Sequence, residues 1–337
     1  MLGSAVRLAA VVWLCRSAAD AVVYAGMLPF FLGAQAIAGY WLLYRGGWFR
    51  LAWPGLARGR QALAAAWPLG AMMAVFVLAH NANTLIVQAV NGAQAAGHYL
   101  AALRLVEMAA VLPGVAGAVF RPRLARVFSA GSAAAQKETQ LYARAHLLAG
   151  WLIAPFVFAE APRIIGWLYG GQYAAAAPLL RIFALAILAN YLVCGYTNCL
   201  VAFGRDRVML RAMAVAGLVA VAAGLVLTPV WGPPGAALAA SLIHPVGWFV
   251  ALPEYRRRIG SLEWPEWKLP CAAAVGIVAL SAWLEAGGVP TLWRMACSLV
   301  LYLAIAGRCW SQLEQAAAAR LSVARPLLSH NVGWEAR

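Results

Sequence analysis

The sequence predicts an all-α fold, a polytopic membrane protein of about ten transmembrane helices, on three observations. Of its 337 residues 64% are hydrophobic and 11% charged, against about 45–50% apolar and about 25% charged in soluble domains. The apolar residues gather into ten runs, most of them near the roughly 20 residues that cross a hydrocarbon core. The segments joining the runs alternate between short, charge-poor turns and longer, arginine-rich loops. A water-soluble globule of this composition would expose large apolar patches and aggregate. That excludes a soluble enzyme, a disordered chain and a secreted disulfide scaffold.

The runs lie at 2–15, 21–43, 63–90, 97–120, 145–168, 174–203, 208–230, 233–252, 269–286 and 289–310. The first is short for a crossing; the others have the length. Between them, 16–20, 91–96, 169–173, 231–232 and 287–288 are short and poor in charge. The 44–62, 121–144, 204–211 and 253–268 segments and the tail from Arg308 together hold 20 of the 26 basic residues. The positive-inside rule assigns these segments to the cytoplasm. Ten spans then place both termini there. This pattern accounts for the net charge of +15 as topology and leaves no role for nucleic acid. The 311–337 tail mixes Leu313, Leu321, Leu327 and Leu328 with Arg320 and Arg325. It reads either as an amphipathic helix on the anionic inner leaflet or as a solvated tail.

Motifs for soluble chemistry are absent from the sequence. It has no G-x-x-x-x-G-K-[ST] loop to cradle a nucleotide, no H-E-x-x-H and no clustered His/Cys/Asp set for a metal, and no G-x-S-x-G elbow. No cofactor is expected. The six cysteines form no C-x-x-C pair and mostly sit in apolar runs, where cysteine behaves as a small hydrophobe. The sequence is therefore not read as an enzyme.

Polar residues inside the spans need a reason, because a charge at mid-bilayer costs about 2.5–3.5 kcal/mol on insertion scales. Arg104 and Glu107 in the fourth run are three apart and share a helix face. They read either as a self-neutralising ion pair or as an inward-facing cation for an anionic substrate, tuned by Glu107. His80 and Asn83 in the third run lie on one face, with Asn81 between them; Asn190, Cys194, Thr197 and Asn198 follow helical spacing in the sixth. Both sets fit interhelical hydrogen bonds or the lining of a hydrated cavity. His244-Pro245 predicts a kink. Arg163 and Arg181, near helix ends, are expected to snorkel to headgroups.

Three stretches within 61–253 carry a resemblance. The first runs from Ala65-Ala66-Trp67-Pro68-Leu69 and Asn83-Thr84-Leu85-Ile86-Val87 through Gly97-His98-Tyr99-Leu100-Ala101-Ala102-Leu103-Arg104-Leu105-Val106-Glu107 to Phe120-Arg121-Pro122-Arg123. The second is Leu168-Tyr169-Gly170-Gly171-Gln172-Tyr173 with Ala177-Pro178-Leu179-Leu180-Arg181. The third is Ala202-Phe203-Gly204-Arg205 with Thr228-Pro229-Val230-Trp231-Gly232-Pro233-Pro234-Gly235. In order and spacing these are similar to the bacterial polysaccharide-biosynthesis flippases, which serve O-antigen and exopolysaccharide assembly. Those belong to the multidrug/oligosaccharidyl-lipid/polysaccharide exporter superfamily.

The resemblance implies a lobed flippase architecture in the bacterial inner membrane. Residues 1–60 would be the remnant of an N-terminal lobe, two spans and a cytoplasmic linker. Residues 61–253 would be a six-helix C-terminal lobe, 254–310 a cytoplasmic loop with two additional helices, and 311–337 a cytoplasmic tail. Four N-terminal helices of the family have no counterpart, which implies a reading frame truncated at its start. Ala220 and Gly224 stand where the family often has asparagine. The implied activity is the flipping of a polyprenyl-pyrophosphate-linked oligosaccharide by alternating access, with membrane lipids and other polysaccharide-assembly proteins as neighbours. Arg104 matches a cavity arginine of related flippases. With it, Glu107, His80, Asn83, Asn190 and Asn198 are the expected substrate-binding residues. Cation-coupled drug exporters and lipid II flippases share the fold. A membrane-embedded polymerase or ligase would need a large outward loop that the runs leave no room for. An inactive fragment is the remaining alternative.

Overall fold

The computed structural model describes residues 21–47, 55–129, 132–258 and 268–290, with 293, 296–301, 303–304 and 307–308. The chain divides at Ala64–Ala65 into two compact units. The first unit contains helix α1, Ala21–Arg45, a 25-residue helix with Pro29 inside it. Its C-terminal turn is capped by Arg45, whose guanidinium lies 4.2 Å over the Trp41 ring one turn back, a cation–π contact that suits a bilayer edge.

Helix α2, Gly55–Ser129, begins in the first unit and runs through the second. It is followed by α3 (Ser132–Tyr169), α4 (Ala176–Ala202), α5 (Asp206–Trp231), α6 (Pro233–Ser241), α7 (Ile243–Arg258) and α8 (Lys268–Ala286). Among the described residues five helical stretches are long and apolar enough to cross a membrane: Gly70–Val127, Glu138–Tyr169, Ala176–Ala202, Asp206–Trp231 and Pro233–Arg258. The protein is thus a helical membrane protein.

The first of those stretches is 58 residues long and folds on itself. Gly92 adopts φ 85° and ψ 173°, a conformation that a Cβ disfavours. Unbroken, the helix would hold His80 and Glu107 about 40 Å apart, at 1.5 Å per residue; their side chains are 2.9 Å apart. So α2 is a hairpin of two arms, one before Gly92 and one after, each long enough to span. The expected turn at 91–96 falls at this bend. The expected break at His244-Pro245 also appears, as a turn at Leu242 between α6 and α7. Pro245 has no N–H to return to Ser241, so the helical ladder is interrupted there.

The joining segments sort to two ends. At one end a Cβ on Gly232 would lie 3.6 Å from Asn91 Nδ2, and His98 Nε2 is 3.3 Å from the Gln172 carbonyl. The short turns at Gly92, Gly170 and Gly232 therefore lie together. At the other end Arg123 pairs with Glu138 at 2.5 Å, and Glu254 takes Arg205 at 3.5 Å and Arg258 at 3.3 Å. The basic segments thus gather opposite the short turns.

One buried cluster near the short turns joins Tyr99, Leu103 and Val106 of α2 to Ile165 of α3, Phe183 and Ile187 of α4, and Ala236 and Ala237 of α6. A second, near the basic end, joins Leu124, Tyr142, Tyr196, Met209, Trp248 and Tyr255. Small residues let the helices close: a Cβ on Gly195 would come within 2.7 Å of the Ala143 Cα, the small-residue packing of membrane helices. The outward face is apolar, with Leu85 64% and Leu218 72% exposed, as a lipid-facing surface requires. The 2–15 run, the 311–337 tail and parts of 289–310 lie outside the described residues.

Candidate functional site

Glu107 is the hub of the only cluster of opposite charges in the α2 hairpin among the described residues. One turn toward Gly92, Arg104 Nη1 donates to Glu107 Oε2 at 2.5 Å. From the opposite arm His80 Nε2 reaches Glu107 Oε1 at 2.9 Å, and its ring stacks on Phe76 with centroids 5.5 Å apart. Each carboxylate oxygen therefore has its own donor. A carboxylate between two donors keeps its charge inside the membrane at far lower cost than an isolated one.

His80 and Glu107 face a cavity of about 380 Å³ between both arms of α2, α4 and the α6–α7 turn, where Asn81, Asn190 and His244 join them. A second cavity of about 430 Å³ lies toward the basic end and includes Arg121, Cys194, Thr197 and Asn198. Phe76, Ala110, Asn190 and His244 line both, so the two adjoin. Asn190 sits at the junction.

The six expected site residues do not all meet. His80, Glu107 and Asn190 line the first cavity, and Asn198 lines the second. Arg104 lines neither; its side chain is 62% exposed, so it is not turned into either cavity and instead reaches back to Glu107. Asn83 is fully buried at the seam with α5, where Gly224 leaves room for its Oδ1; it is corrected from a cavity residue to a seam residue. The 60° between His80 and Asn83 around the helix is enough for α5 to cover one and leave the other open.

One further expectation changes. Arg163 does not snorkel: it is bonded to the fully buried Glu160 at 2.5 Å and to Glu285 of α8 at 3.2 Å. Arg181 is exposed, with its guanidinium 5.9 Å from the Phe158 ring centre. Arg121 is the site residue that sequence reasoning missed. Apolarity ended the fourth run at 120, whereas the helix continues to Ser129 and carries Arg121 into the cavity wall.

Fold and site define a class: a helical membrane protein with a paired ionisable cluster beside two adjoining cavities, lined mainly by apolar side chains, inside its larger unit. No family model, no curated protein and no solved structure matches the chain.

Proposed function

We propose that the protein moves a polyprenyl-pyrophosphate-linked oligosaccharide across the bacterial inner membrane by alternating access. The observation that carries this reading is the position of Glu107, shared by Arg104 and His80 at the edge of a cavity flanked by apolar helices. A guanidinium already solvated by a carboxylate can stay charged at this depth. It can then exchange that carboxylate for pyrophosphate oxygens, which match its planar fork. Arg104 is exposed on its own lobe because, in a two-lobed exporter, the cargo passes between lobes. The Asn190 amide, at the junction of the two cavities, offers a donor and an acceptor to sugar hydroxyls. The isoprenoid tail stays in the bilayer, so the apolar outer face needs no opening for it. In this reading there are ten spans, both termini are cytoplasmic, and the basic end of the helices faces the cytoplasm.

The test is complementation. The 337-residue chain is expressed in a strain lacking its own polysaccharide flippase, and surface polysaccharide is measured. Restored export supports the reading, and a drug-resistance phenotype without export would favour a drug exporter. A well-expressed chain that restores neither refutes the transport reading.

A further inference from the structure

Arg104 stands on a surface that lipid cannot satisfy. It lies 12 residues beyond the Gly92 bend, and Asn81 lies 11 before it on the other arm of α2. At 1.5 Å per residue both are about 17 Å from the bend, near the middle of a core about 30 Å thick. Both are exposed. Charged side chains at that depth face a bundle interior or a water-filled cavity and rarely face lipid. Snorkelling would carry the guanidinium toward the short turns; it bonds instead to Glu107, one turn further from them. The residues around Arg104 have the form of a helix–helix seam. Arg104, Met108, Val111, Val115 and Ala118 are all exposed and follow one another at spacings of 4, 3, 4 and 3, the repeat of a left-handed coiled-coil contact. Val77 and Asn81 of the first arm share the rim of the smaller cavity with Val111 of the second, and all three are exposed. The two arms therefore present one surface, to which Asn81 adds an amide of the kind that joins membrane helices.

The cover for this surface has to offer a carboxylate to Arg104 and a cation to Glu107, since their side chains remain 62% and 34% exposed. The described residues of the smaller unit include no acidic residue. The matching set is Arg104 and Glu107 themselves. A surface with one positive and one negative group side by side is complementary to its own copy under a twofold rotation. A twofold axis along the membrane normal also sets equal depths against each other. We infer that two copies of this chain pair through the α2 hairpin surface, with Arg104 of each copy on Glu107 of the other. A carboxylate has about four acceptor positions, so Glu107 keeps His80 and its own Arg104 while taking the second arginine. Four alternating charges then lie at the axis, and Met108, Val111 and Val115 shield them from lipid. The rim of the smaller cavity opens on the other copy instead of on lipid. The inference goes beyond the transport reading and stands whatever the cargo; in that reading the second copy is the wall across the cargo's path.

The test uses the full chain, fluorescently labelled and reconstituted in phosphatidylcholine vesicles. The unsubstituted protein should bleach in two steps and keep doing so as lipid is added. One step at every dilution means that lipid covers the surface, and overturns the inference without any variant. Contact is located by cysteine oxidation in native membranes, in a chain whose six cysteines are changed to alanine. Val115→Cys should give disulfide-linked dimers, and Leu218→Cys, exposed on α5, should not. Dimers from Leu218→Cys alone would move the contact elsewhere and overturn the surface. A link within one chain between Val115→Cys and Gln35→Cys would put α1 on this surface and overturn it too. Arg104→Glu and Glu107→Arg each bring four like charges to the axis, so each should weaken self-association about tenfold or more. Mixed together, the two variants should pair again, an acidic surface on a basic one. Folded variants that each self-associate like the parent, or that pair no better mixed than alone, would refute the charge exchange. A dimeric chain that fails complementation would refute transport and leave the interface standing. Export by a chain that bleaches in one step would refute the interface and leave transport standing.

Discussion

The Ser281 hydroxyl donates to Oε1 of the fully buried Glu160 at 2.6 Å, joining α8 to α3 across 121 positions of sequence. Arg163 closes the arrangement on the other carboxylate oxygen at 2.5 Å. Glu160 therefore has a donor on each oxygen, and Arg163 is 11% exposed. Removing one partner from a buried pair strands the other charge, at about 3–5 kcal/mol. Glu160→Leu should lower the thermal midpoint in detergent strongly. Ser281→Ala should cost about 1 kcal/mol, the net value of an ordinary hydrogen bond. Glu285, with its side chain 66% exposed, should be nearly silent as Glu285→Gln. A Ser281→Ala loss as large as that of Glu160→Leu would mean that the hydroxyl, not the ion pair, holds α8.

Gly224 and Asn83 make a second separable pair. A Cβ on Gly224 would fall 1.9 Å from Asn83 Oδ1, far inside van der Waals contact, and the Asn83 amide is buried without a hydrogen-bond partner. Gly224→Ala should destabilise by about 1–3 kcal/mol through overpacking. Asn83→Ala should remove a costly unsatisfied amide, and the double variant should recover most of the Gly224→Ala loss. The coupling is read from melting of all four proteins as a double-mutant cycle. Additive losses would place the two residues out of contact.

The fold was legible where it rests on local pattern, and the site was not where it rests on register between helices. The five long apolar stretches and the bend at Gly92 follow from apolar run length and from the short, charge-poor 91–96 segment, both local. The Glu107–His80 bond depends on how the two arms of α2 align, which no spacing within one arm encodes. Arg163 was read from its own helix as a headgroup arginine. Its partners Ser281 and Glu285 arrive on α8, more than a hundred residues on. Arg121 was counted as loop charge because hydropathy marks where a segment stops being apolar, and a helix can continue into water beyond that point.

Topology can be read with reporter fusions. Gly92 and Gly171 lie at the end where the short turns meet, and fusions there should report one compartment, the periplasm. Fusions at Gly131 and Gly260, in the arginine-rich segments, should report the cytoplasm. The same compartment for Gly92 and Gly131 would contradict a membrane-spanning second arm of α2. Full reversal would keep the helices and overturn only their orientation.

The last prediction separates a structural Arg104 from a cargo-binding one. Arg104 and Glu107 are bonded at 2.5 Å with side chains 62% and 34% exposed, so the pair is half-open and its loss should cost stability little, about 1 kcal/mol or less. His80 contributes the third bond. If Arg104 serves only to neutralise Glu107, then Arg104→Leu should impair export and the added Glu107→Leu should restore it, because no charge is left unpaired. If Arg104 holds pyrophosphate, the double variant should stay inactive. In that case Arg104→Lys should recover little, since an ammonium keeps the charge and loses the fork. Glu107→Gln alone should then raise affinity for farnesyl diphosphate, because the amide no longer competes for the guanidinium with a full charge. Export is measured as surface polysaccharide at matched protein level, and affinity in micelles. Normal export from the Arg104→Leu, Glu107→Leu protein would reduce the pair to a structural one.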